Sequence, residues 1–212
     1  MLQLFNTLLA IHIIGGVTAL LSGSIILLRK KGDKLHKRIG RVFAYSMMLS
    51  ATVSLILSRI HPNDFLFIIG IFSIYLVGTG MRFLRLKRLN KDQKPATIDW
   101  ILFATMALFA LLFIAYAGVY FKSGNPFWIV LLVFGLISIL MLRSDWRTYK
   151  GKIKYKNYWL MLHLQRMTGA YIASLTAFLV VNNTYLPGIV AWLLPTFILT
   201  PFIIKWSKAY AK

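Results

Sequence analysis

"LLRKKGDKLHKRIGRVFAY", residues 27–45, sets seven Lys and Arg and one His between two apolar runs. In a soluble chain such a cluster suggests a grip on a polyanion; between two membrane spans it is a loop held on one side of a bilayer. The flanking sequence decides between them. Residues 2–28 contain no Asp, Glu, Lys or Arg, and residues 40–58 contain only Arg41. Each run is long enough for the roughly 20 residues that cross a ~30 Å hydrocarbon core.

The same pattern repeats along the chain. Apolar runs occupy 2–28, 40–58, 65–83, 98–120, 127–142, 159–181 and 186–204. The composition agrees, with 58% hydrophobic residues, 15% aromatics and a mean hydropathy of +0.70. In lipid the backbone polar groups of such runs are satisfied only by helices or a closed barrel. Lengths near 20 without period-two alternation favour helix. The sequence predicts an all-α, polytopic integral membrane bundle of seven transmembrane helices, forming a single domain over 1–212.

Charge then sets the expected orientation. The chain has 25 Lys and Arg against five acidic residues, Asp33, Asp64, Asp92, Asp99 and Asp145, and no Glu. Every cation except Arg59, Lys122 and Arg166 lies in alternate connections or the tail, including Lys154 in the fifth-to-sixth loop and Lys212 at the C-terminus. The positive-inside rule therefore predicts an outside N-terminus and a cytoplasmic C-terminus. The net charge of +20 reads as topology. The partner it implies is the anionic lipid bilayer and not nucleic acid, because the loops are short and show no basic face interleaved with aromatics. Nothing basic precedes Leu2 and the first run exceeds a signal h-region, so the first helix is expected to be retained. The absence of Cys excludes disulfides, thiolate metal sites and thiol catalysis.

Against this apolar frame the informative residues are the polar ones a bilayer makes expensive. At 100° per residue His12, Gly16, Ala19 and Gly23 share one face of the first helix. Such a strip either lets a neighbouring backbone approach closely or leaves a groove for a flat ligand. His163, Met167, Ala170, Ser174 and Ala177 share a face of the sixth helix, with Arg166 beside it. If the second helix begins early, His36, Gly40, Phe43, Met47, Ser50 and Ser54 align as well. Three of the four histidines thus head narrow, mostly small-residue stripes.

Depth limits which of them can meet. At 1.5 Å per residue His12 lies about 25 Å from the inner boundary near Arg29, and His163 about 10 Å from the boundary near Lys156. His36 and His163 are the expected inner pair; His12 belongs with the outer side, where His61 follows the second helix. Paired imidazoles projecting from two helices hold a b-type haem, with small residues making room for the macrocycle. In this reading His36 and His163 are the metal ligands, while His12, Gly16, Gly40 and Met167 line the site. Arg166 and the inner lysines receive propionates, and the role is electron transfer with a redox partner.

Two other classes stay open. Imidazole suits Zn as well as Fe, so an intramembrane zinc hydrolase is conceivable, with Asp99 the one carboxylate placed to approach the inner histidines and Asp145 assigned to a basic loop. A transporter or channel for a small anion or lipid would use Arg166, with the seventh helix broken near Pro195 and Pro201 to expose backbone groups.

The residues also carry a resemblance. "HIIGGVTALLSGSIILLRKKGDKLHKRIGRVFAYSM", residues 12–47, and "HLQRMTGAYIASLTAFLVV", residues 163–181, resemble a family of bacterial predicted membrane proteins catalogued as domain of unknown function 2306. The matching positions are His12, Gly16, Gly23, His36, Gly40, Arg41 and Phe43, then His163, Arg166, Met167 and Tyr171. The resemblance brings no activity with it. It implies that His12, His36, His163 and Arg166 belong to one site.

Overall fold

A computed structural model describes residues 2–89, 91–153 and 155–210; Lys154 and Lys212, counted among the loop and tail cations, lie outside them. The described residues form seven helices and no strand: α1 (Leu2–Leu28), α2 (Lys34–Ile60), α3 (Asp64–Phe83), α4 (Thr97–Lys122), α5 (Trp128–Tyr149), α6 (Tyr158–Val181) and α7 (Gly188–Tyr210). All seven are long and apolar enough to cross a membrane. Their outward faces bear large exposed apolar side chains, among them Leu108, Leu111, Leu140, Phe197 and Ile198. Apolar surface on this scale suits lipid and would drive aggregation in water.

The helices exist where apolar runs predict them, but side-chain caps, not hydropathy, set the starts of α2 and α3. α2 begins at Lys34, six residues before its apolar run, because Asp33 is its N-cap. The Asp33 carboxylate accepts the His36 backbone N–H at 2.5 Å and a hydrogen bond from Arg29 Nη2 at 2.9 Å. Those bonds, the backbone one foremost, hold its pKa below the usual aspartate value. The cap thereby winds His36 into the first turn of α2.

A folded-state pKa that is depressed contributes stability above the unfolded value and loses it as acid protonates the group. Protection of the His36 and Lys37 amides, measured against their intrinsic exchange rates, is therefore expected to be high above about pH 4 and to fall below it. Asp33→Ala should make exchange fast at every pH, and Asp33→Asn should keep protection while removing its pH dependence.

α3 lies at the centre, packed on α2, α4 and α6; α1 packs on α2 and α6, α5 on α4, and α7 on α6. Phe43, Leu76, Met106 and Ala170 are fully buried in the main core. A second cluster, Phe83, Leu86, Leu89, Tyr149, Tyr158 and Leu162, pins the α3–α4 loop to the start of α6. There the Tyr158 hydroxyl donates to Leu86 O and accepts the Leu89 N–H.

Three expectations change here. α5 runs on to Tyr149, so Asp145 is a helical, fully buried residue and not part of a basic loop. Its backbone continues the buried stripe Leu131, Phe134, Ser138, Leu142, Asp145 and Thr148 past the charged Arg143. Asp99 does not approach the histidines: it accepts from Arg82 Nε and Nη2 at 2.7 and 2.8 Å and from the Ala96 N–H at 2.8 Å. α7 is one continuous helix through Pro195 and Pro201, not a broken one.

Candidate functional site

A cavity of about 600 Å³ opens between α1, α2 and α6 and the ends of α3 and α7. α2 and α6 are not among the closely packed helix pairs, so the cavity fills the gap between them. Its volume is within the usual range for small-molecule and cofactor sites. His36 lines it from α2 and His163 from α6, together with Gly40 and Met167. The depth estimate and the facial alignment of these four residues agree with that placement.

The two imidazoles are presented differently. His163 Nδ1 lies 2.8 Å from Gly80 O, a carbonyl that accepts the Nδ1 proton and leaves Nε2 with a free lone pair. Metal-ligating histidines are commonly oriented by such a carbonyl. His36 Nδ1 is buried and has no hydrogen-bond partner among the described residues. Buried polar atoms without partners are uncommon.

The remaining walls are apolar or aromatic, with cations near the mouth. Phe43 and Tyr171 line the interior, and the Tyr171 hydroxyl is 2.7 Å from Ser24 Oγ. Gly23 is required for this packing, because a Cβ there would stand 2.4 Å from Tyr171 Cδ2 and 3.1 Å from Phe43 Cε2. Gly23→Val is therefore expected to push the Tyr171 ring into the cavity, lower stability by about 1–3 kcal/mol and block the site; thermal unfolding and ligand retention check the two effects.

Lys37, Arg41 and Lys87 supply charge at the mouth, and Lys87 lies over the Trp159 ring at 4.5 Å. Lys31 also lines the cavity but is already engaged. Its Nζ donates to Ile26 O at 2.6 Å and Leu27 O at 2.8 Å, closing the C-terminus of α1, and burial lowers its pKa.

The structure does not bring His12, Gly16 or Arg166 to this cavity. His12 Nδ1 lies 3.0 Å from Ser50 O, and Ser50 Oγ donates to His12 O at 3.0 Å. A Cβ on Gly16 would meet Ser50 Oγ at 3.4 Å. His12 and Gly16 are thus an α1–α2 packing contact, the close-approach reading of the small-residue strip. His61 packs edge-on against Phe5.

Arg166, on the neighbouring face of α6, turns away from the cavity toward α5 and α3. Its Nη2 donates to Asp145 Oδ1 at 2.5 Å and to Met141 O at 3.3 Å, and the Tyr75 hydroxyl donates to Asp145 Oδ2. Arg166 is 3% exposed and Asp145 0%. A lone charge at that depth is costly, so the one buried carboxylate within reach outcompetes a cavity mouth. Asp145 and Tyr75 are the polar residues that sequence reasoning missed; the apolar stripe continuing past Arg143 was the available signal.

Among the described residues no three His, Asp or Glu converge as metal ligands. His36 and His163 are the two histidines that line this cavity among the described residues. No protein-family model, curated protein or solved structure matches the chain. The functional reading therefore rests on the cavity.

Proposed function

We propose that the chain is a membrane protein that holds a b-type haem between α2 and α6 and serves electron transfer. One observation carries this: imidazoles on two different helices line one apolar cavity, one with its Nδ1 proton tied to a carbonyl and the other with an orphaned ring nitrogen. His36 and His163 would hold the haem iron. Lys37, Arg41 and Lys87 would take the propionates, and Gly40, whose Cβ would meet nothing within 4 Å, leaves room beside His36. When bound, the haem supplies one-electron redox chemistry; the protein contributes ligation, an apolar surround and a cationic mouth that tunes potential.

In this reading the basic loops face the cytoplasm, the N-terminus lies outside, and the membrane is the bacterial cytoplasmic one. The resemblance to the family of domain of unknown function 2306 implies one site for His12, His36, His163 and Arg166; of these, His36 and His163 line the cavity. The test is the absorption spectrum of protein purified in mild detergent. A Soret band, with split visible bands on reduction, is expected at about one haem per chain. A colourless protein that takes up no added haemin overturns the proposal.

A second reading is favoured by the cations at the mouth: passage or binding of a small anion or lipid in the same cavity. Arg166 gives it no support, being neutralised by Asp145. Anion flux in proteoliposomes that is lost in Lys37→Gln/Arg41→Gln, from a colourless protein, would establish it.

A further inference from the structure

A second cavity, about 750 Å³, lies between the C-terminal half of α5, the α5–α6 loop and the start of α6. The cations Arg143, Arg147 and Lys152 line it, with Ser144 between the two arginines. None of the three cationic side chains makes a hydrogen bond or ion pair among the described residues. Asp145, the one acidic residue on α5, points away to Arg166.

The backbone builds this grouping. Arg143 and Arg147 are one turn apart on α5. At its C-terminus Gly151 adopts φ +71°, the Lys152 N–H returns to Arg147 O at 2.9 Å, and the Gly151 N–H bonds Thr148 O at 3.0 Å. This left-handed cap turns the chain so that Lys152 lies back beside Arg147.

Below the cations the walls are apolar, formed by Leu140, Met161 and Leu162. α5 and α6 are not a closely packed pair; the Arg166 side chain bridges them through Asp145 and Met141 O. The apolar wall runs into the exposed outer face of α5 at Leu136, Ile137 and Leu140. A site with clustered, unpaired cations at the polar end of two spans and an apolar cleft beneath suits one phosphate with acyl chains attached.

We propose that the α5–α6 cleft binds an anionic phospholipid, its phosphate held by Arg143, Arg147 and Lys152 and its chains lying along Leu140 and Met161. The site is separate from the α2–α6 cavity and independent of its ligand. The probe is phosphatidylglycerol in nanodiscs of phosphatidylcholine, with bound lipid counted per chain by mass spectrometry after extraction into neutral detergent.

Wild type is expected to retain about one phosphatidylglycerol. Arg143→Gln/Arg147→Gln/Lys152→Gln should weaken retention at least about tenfold, given the surface attraction of each cation, while thermal unfolding in the absence of anionic lipid is unchanged. Arg38→Gln/Lys91→Gln/Lys94→Gln, which removes equal charge from the start of α2 and the α3–α4 loop, should leave retention intact. Equal loss in both triple variants overturns the proposal in favour of general surface charge. Displacement of the lipid by millimolar inorganic phosphate assigns the site to free phosphate and also overturns it.

Discussion

Arg166→Met is expected to destabilise the protein by about 3–5 kcal/mol, because it leaves the Asp145 carboxylate buried without its countercharge. The ion pair joins α5 to α6, and Tyr75 brings in α3 by donating to the second carboxylate oxygen. Asp145→Leu alone should do comparable damage by stranding the guanidinium, whose Nη1 already lacks a partner among the described residues. Asp145→Leu/Arg166→Met should recover most of the loss, since apolar replacement of a whole buried pair is often neutral or stabilising. Tyr75→Phe should cost about 1.5–3 kcal/mol, the range for a hydrogen bond to a charged group. Unfolding of the detergent-solubilised protein by graded denaturant reads all four. Additive losses in the double variant would mean the two side chains do not act as a pair.

His36→Ala and His163→Ala should each weaken haem retention by more than about 100-fold, exceeding the 10–100-fold typical of removing an outer-shell partner. Each removes the one imidazole its helix contributes to the cavity, and among the described residues no other His, Asp or Glu lines it to substitute. His12→Ala should separate structure from ligation. It breaks the reciprocal contact with Ser50, costing about 1 kcal/mol, yet the haem should remain. His61→Ala, removing only an edge-on contact with Phe5, should change neither. Haem content per chain and thermal unfolding, measured on the same four preparations, distinguish lost ligation from lost fold.

The helices were legible because a run of 20 apolar residues has few other options in a bilayer. Their ends were not, because Asp33 and Gly151 set them through local hydrogen bonds that hydropathy does not register. That His36 and His163 line one cavity was readable from depth and facial alignment, and Gly40 and Met167 came with them. His12, Gly16 and Arg166 were misplaced for one shared reason. Helical periodicity says which residues share a face but not which neighbour the face meets. α1 is apolar nearly all round, so nothing in it distinguishes the side toward Ser50 from the side toward the cavity. Arg166 depended on Asp145, which a hydropathy boundary at Leu142 had placed outside the helix.

Electron paramagnetic resonance of the oxidised protein, purified in mild detergent, reads both axial positions at once. Two imidazoles on one iron give a low-spin ferric spectrum, and either His36→Ala or His163→Ala should convert whatever haem remains to high spin. A wild-type protein with no iron porphyrin, or one whose spectrum neither substitution alters, would contradict shared ligation by His36 and His163.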